Sequence, residues 1–182
     1  MSVVENGVVK LTYQDYCQLP DDGNRHEIID GVHYMSPAPS TRHQSASRHI
    51  QFSLYRQIEE EGRGSVFNAP TDLELSPTDV VQPDIIVVLK ENRSIILPSR
   101  LRGVPDLVVE ILSPSTSDRD QGVKRSLYEQ HGLGEYWVVD AEEQVVLQYK
   151  LTGGSYGEAQ RCAGSISFAG ATVDLDRVWG RL

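Results

Sequence analysis

The sequence predicts a single α/β (α+β) domain, a mixed β-sheet flanked by helices, and three observations carry that expectation. Residues 83–89 (PDIIVVL) and 106–112 (DLVVEIL) are apolar on both faces, as central strands covered from both sides are. From Thr41 to Gly62 the apolar positions Ala46, Ile50, Leu54 and Ile58 recur at the spacing of an amphipathic helix. The 182 residues, 39% hydrophobic and 24% charged, show no repeat, low-complexity tract or composition shift, so 1–182 reads as one domain with its own core.

The remaining elements follow in order. Residues 12–19 read as a short helix opening on Thr12, with Asp15 in its first turn, and stopping at Pro20-Asp21-Asp22-Gly23. Segments 26–29 and 32–35 flank Asp30-Gly31, a hairpin signal. Residues 37–40, with two prolines, break the second strand before the long helix begins at Thr41. Short strands are expected at 65–67 and 72–75, ahead of the central strand 83–89, and a loop carrying Arg93, Arg100 and Arg102 leads to 106–112. Residues 113–117 turn the chain into a helix from Asp118 to about His131, ended by Gly132 and Gly134. Segments 135–140 and 145–149 form a further strand pair, and the tail to Leu182 reads as one or two weaker strands.

Composition narrows the functional classes. Cys17 and Cys162 have no second thiol or close-spaced histidine nearby, which argues against a zinc ribbon or a disulfide framework and favours a reducing cytoplasm. Residues 1–10 carry acid and polar groups where a signal peptide needs an apolar core, and no stretch approaches the ~20 apolar residues of a membrane span. A net charge of -9 counts against a protein that coats nucleic acid, because phosphate contacts need clustered Lys and Arg.

Two acids interrupt the apolar strands. Asp84 heads one run, and Glu110 sits between Val109 and Ile111 in the other. Burying a carboxylate there costs several kcal/mol unless cations or donors compensate, so each acid touches solvent at a strand end or has a partner such as Arg100 or Arg102. In the helix that follows, Lys124 falls on the same face as Val123, Leu127 and Tyr128. It either pairs with Asp120 one turn earlier or reaches across to the acids on the sheet. Two strand carboxylates and a lysine in one cleft are a hard, oxygen-rich set for Mg²⁺ or Mn²⁺, and phosphodiester hydrolysis is the chemistry that uses it.

These residues also carry a resemblance. Pro83-Asp84 followed by Glu110-Ile111-Leu112 resembles the signature of the PD-(D/E)xK nuclease superfamily, the fold of many type II restriction endonucleases. The segments 25–31 (RHEIIDG), 82–85 (QPDI), 109–116 (VEILSPST) and 134–140 (GEYWVVD), in that order, resemble the Uma2 family of restriction-endonuclease-like proteins. The resemblance implies a restriction-endonuclease-like sheet with extra hairpins, Asp84 and Glu110 as metal-binding acids for Mg²⁺ or Mn²⁺, Glu27 as an additional acid, and DNA as substrate. The superfamily pattern has Lys two residues after the Glu, where this chain has Leu112; Lys124, on the next helix, is the residue that fits the role. That assignment requires Lys124 to reach the acids.

Other candidates are weaker in the residues themselves. Strand alternation puts Glu27 opposite Ile28, where exposure would be unremarkable. His43 lies on the core-facing stripe at the start of the long helix, a packing position or the rim of a metal site. His26, His33, His49 and His131 show no ligand spacing and read as structural, and Tyr128, Tyr136 and Trp137 as core. Arg42, Arg48, Arg56, Arg93, Arg100 and Arg102 could make a local basic rim, with DNA binding weak and local, or a homodimer could build the cleft. A catalytically inactive nuclease-fold interaction or regulatory protein, and a metal-dependent phosphohydrolase acting on RNA or nucleotides, are the competing functions.

Overall fold

A computed structural model describes residues 2–5, 8–113 and 120–181. The chain opens with the small antiparallel pair β1 (Val3–Glu5) and β2 (Val8–Lys10), then the one-turn helix α1 (Tyr13–Tyr16). Thr12 and Asp15 cap α1 reciprocally, as their three-residue spacing predicts, but the helix ends sooner than expected. β3 (Arg25–Ile29) and β4 (Val32–Ser36) form the hairpin read from Asp30-Gly31. Both turn residues have positive φ, 49° and 74°, as a primed two-residue turn demands, and a Cβ on Gly31 would collide with Lys10.

Helix α2 (Thr41–Leu54) runs into a π-helical turn, Tyr55–Glu59, with Ala46, Ile50, Leu54 and Ile58 all at 0% exposure. β5 (Gly64–Asn68), β6 (Leu73–Ser76), β7 (Asp79–Val81), β8 (Ile85–Leu89), the two-residue β9 (Leu101–Arg102) and β10 (Leu107–Ile111) follow. β7 and β9 are strands the sequence did not announce. The expected turn at 113–117 and the start of the next helix at Asp118 lie outside the described residues, Ser113 aside. A π-helical turn, Asp120–Lys124, passes into α3 (Arg125–Gln130). β11 (Glu135–Asp140) and β12 (Val145–Thr152) form the expected pair. The tail holds more than was expected: β13 (Ser155–Tyr156), β14 (Gln160–Cys162), β15 (Ser165–Phe168), β16 (Ala171–Asp174) and a closing helix, α4 (Leu175–Trp179), capped by Asp174.

The main sheet is mixed, in the order β13-β12-β11-β10-β8-β5 with β14 also on β12; β10 and β11 are parallel and β8 and β10 antiparallel. A second sheet runs β4-β3-β7-β6-β9. Alternation along the central strands builds two cores. Ile85, Val87, Leu107, Val109, Trp137 and Val139 face α2, the β15–β16 hairpin and α4. Ile86, Val88, Val108, Tyr136 and Val138 face α3 and the second sheet, whose Ile29, Leu73 and Val81 join that core. The central strands are thus covered on both sides, and the functional candidates gather where β3, the start of β8, the end of β10 and α3 meet.

Candidate active site

Asp84 directly precedes β8. The antiparallel pairing of Val109 with Ile85 brings it beside Glu110, since Asp84 stands one residue before Ile85 and Glu110 one residue after Val109. It is 3% exposed, and each of its oxygens is held. Oδ1 accepts from the Arg25 guanidinium at 2.7 Å; Oδ2 accepts from the Ile111 backbone N–H at 2.8 Å and lies 3.0 Å from His43 Nε2. Burial alone would raise the Asp84 carboxyl, but His43, Arg25 and the Ile111 N–H outweigh it and hold the group below the usual carboxylate range.

Glu110 and Glu27 share one cation. The Lys124 ammonium lies 2.8 Å from Oε1 of each, and all three side chains are 3% exposed. Tyr128, one turn after Lys124 on α3, donates to Glu110 Oε1 at 2.9 Å, and the Gln82 backbone N–H donates to Glu27 Oε1 at the same distance. Burial first, and the nearby Glu110 charge second, push the Tyr128 phenol far up, so it stays a donor. Burial works against the Arg25 charge, while Asp84, Glu110 and Glu27 together favour it more strongly, so its guanidinium feels all three acids as one cluster.

The Uma2 family model, "Putative restriction endonuclease", matches residues 13–170. The chain belongs to the Uma2 family. Its structure is similar to a crystal structure titled as a "putative nuclease belonging to DUF820" from Anabaena variabilis ATCC 29413. The TM-score is 0.78 at 17% identity, over 93% of this chain and 98% of that one, and the fold is restriction-endonuclease-like. No curated protein matches the chain.

In this Uma2 chain the expected site residues Glu27, Asp84, Glu110, Lys124 and His43 come together. Three readings need correction. Glu27 is buried, 2% exposed, because the main sheet and α3 cover the face of the β3–β4 hairpin on which it lies. Val123 is 41% exposed, because the π-helical turn advances less per residue than an α-helix and swings it off the face that Lys124 keeps. The expected basic rim is dispersed: Arg100 and Arg102 clamp Glu74, Arg42 reaches the Ala141 carbonyl, and Arg56 sits near Glu60. The alternative Asp120–Lys124 pair rests on a side chain outside those described.

Arg25 and Tyr128 were not singled out for the site. The signal for Arg25 was its position two residues before Glu27, on the same face of one strand. The signal for Tyr128 was its position four residues after Lys124.

The donor chemistry of the acids suits a hard cation. Among the described residues no three His, Cys, Asp or Glu side chains gather closely enough to hold an ion between them. Mg²⁺, however, keeps several waters and is commonly bound through only one or two carboxylates, so Asp84 and Glu110 on paired strands fit it. Arg25 and Lys124 now neutralise those same carboxylates.

Proposed function

We propose that this Uma2 protein is a Mg²⁺- or Mn²⁺-dependent endonuclease that hydrolyses DNA phosphodiester bonds. The observation that carries the reading is the Lys124 ammonium set 2.8 Å from both Glu27 and Glu110 in a buried pocket, although Leu112 occupies the position where the superfamily pattern has lysine. Asp84 and Glu110 would hold the ion. Such an ion lowers the pKa of a bound water and polarises a scissile phosphate. Arg25, His43 and the Ile111 N–H fix the orientation of Asp84. Glu27 and Glu110 hold Lys124 where its N–H groups can orient a water or offset charge developing on phosphate oxygens. Tyr128 and the Gln82 N–H steady the two glutamates in turn.

The net charge of -9 supports local rather than extended contact with DNA, and a homodimer would supply a longer cleft. The cytoplasm is the proposed location; among the described residues no helix is long and apolar enough to cross a membrane. Incubating supercoiled plasmid with the purified protein and Mn²⁺ tests the reading. Nicking is expected, with loss in Asp84→Ala and Glu110→Ala; nicking that survives either change intact overturns it. A parallel panel of RNA and nucleotides separates DNA from the other phosphodiester substrates.

A further inference from the structure

A cleft of about 420 Å³ lies beside the acids, within the range of small-ligand sites. It is joined to them at two points. Gln82, on its wall, donates its backbone N–H to Glu27, and Ala69, next to the wall residue Pro70, donates to the Asp84 carbonyl at 3.2 Å. Phe67, Pro70, Leu97 and Pro98 supply flat or rigid apolar walls.

The polar groups on the cleft select a neutral ligand over a phosphate. Among the described residues of its lining the one cation, Arg100, is already bound to Glu74, and the one acid, Asp72, would repel an anion. Asp72 does something else: its Oδ1 accepts from the Tyr16 hydroxyl at 2.6 Å and from Gln82 Nε2 at 2.9 Å. A carboxylate only accepts, so the Gln82 amide nitrogen must face it, and the Tyr16 oxygen takes the second amide hydrogen, also at 2.9 Å. Both donors of the amide are thereby used. Oε1 makes no hydrogen bond among the described residues, and with the amide nitrogen fixed by Asp72 and Tyr16 it is the acceptor that Gln82 has left to offer on the cleft wall.

We propose that this cleft is a nucleobase subsite flanking the scissile phosphate, and that Gln82 reads the base by accepting a hydrogen bond from its exocyclic amino group. The proposal rests on the nuclease reading and adds a preference to it. Adenine, cytosine and guanine carry such an amino group, whereas the single donor of thymine, its ring N3–H, lies between two carbonyl oxygens that the Gln82 and Asp72 oxygens repel. Apolar walls suit the faces of a base, whose stacking tolerates any sequence, and leave discrimination to the single acceptor.

The test measures binding of fluorescent oligo(dA), oligo(dC) and oligo(dT) to the full chain without added metal, alongside plasmid nicking in Mn²⁺. The wild type is expected to bind oligo(dA) and oligo(dC) about two- to tenfold more tightly than oligo(dT), the range that one hydrogen bond supplies. Gln82→Met, which keeps the bulk and removes the acceptor, should bring the three together. Ser99→Trp, which fills the cleft from an exposed position, should weaken all three without touching the acids, and it stands in should Gln82→Met fail to fold. Preferences that are the same in the wild type and both variants overturn the subsite. Nicking without any base preference leaves the nuclease reading and sinks the subsite; a wild-type preference erased by the variants, without nicking, does the reverse.

Discussion

Glu74 and Glu110 are both carboxylates buried in strands, and both are neutralised by cations, but the cations differ. Glu74 takes two guanidinium groups, Arg100 and Arg102, that reach in from the surface; the Arg102 side chain is 61% exposed. Its charge is matched more than once over, by groups that keep part of their hydration. Glu110 instead shares one ammonium with Glu27, and that ammonium is as buried as the acids it serves. Among the described residues three carboxylates, with Asp84, face Arg25 and Lys124, and His43 Nε2 lies 3.0 Å from Asp84. A structural acid is thus paired with two cations at the surface, whereas the candidate site gathers three buried carboxylates around cations that are largely buried with them. Carboxylates gathered in this way are the setting in which the proposed divalent cation would be favourable.

The contrast can be broken experimentally. Lys124→Met should have the largest effect: it takes the shared ammonium from two buried carboxylates, so urea denaturation is expected to show a loss of about 3–5 kcal/mol, with nicking abolished. A loss under 1 kcal/mol would place Glu110 in the same class as Glu74. Asp84→Asn should lower Mn²⁺-dependent nicking by about 100-fold or more, as loss of a metal's carboxylate or its support does, while stability falls by only about 2 kcal/mol.

Asp79 sharpens the comparison from the structural side. Burial alone would raise its carboxyl, but the His131 ring, the Ser76 hydroxyl and the Asp30 N–H outweigh that and lower it. A depressed folded-state value contributes stability that is complete above the unfolded value of about 3.9 and fades as pH falls through the folded one. The stability gap between wild type and Asp79→Asn should therefore be constant near neutrality and close below about pH 4, with nicking unaffected. The smallest effect is expected from Arg102→Ala, within about 1 kcal/mol and silent in the nicking assay, because Arg100 remains on Glu74 and Arg102 is mostly in water.

Much of this arrangement was legible in the sequence, for identifiable reasons. The central strands were visible because residues buried on both faces leave unbroken apolar runs, and that same background made Asp84 and Glu110 stand out. The long helix declared itself through Ala46, Ile50, Leu54 and Ile58, and the hairpin through the positive-φ pair Asp30-Gly31. Lys124 was found as a charge on an apolar face. What was missed depends on tertiary packing. Glu27 looks exposed in any isolated hairpin; only the docking of β3 against the main sheet and α3 buries it. Strand β9 has two residues, too few for a period, and exists because β6 offers it an edge. The closing helix α4 is five residues long, and its apolar Leu175, Val178 and Trp179 mean little until α2 and the β15–β16 hairpin supply a surface to cover. The position of Arg25, two residues before Glu27, was a weak signal for the converse reason: a strand arginine is ordinary until its partner acid is known.

Strands β10 and β11 are parallel, so the chain must cross over between them, and Lys124 travels on that crossover. The acids Asp84 and Glu110 can meet as soon as β8 and β10 pair, but the ammonium arrives only when the crossover has closed and β11 has docked. A folding transition state organised around the β8–β10 pair would lack the Lys124 contact. Its removal should leave the refolding rate nearly unchanged and accelerate unfolding, so that the site's cation acts as a latch on the finished fold.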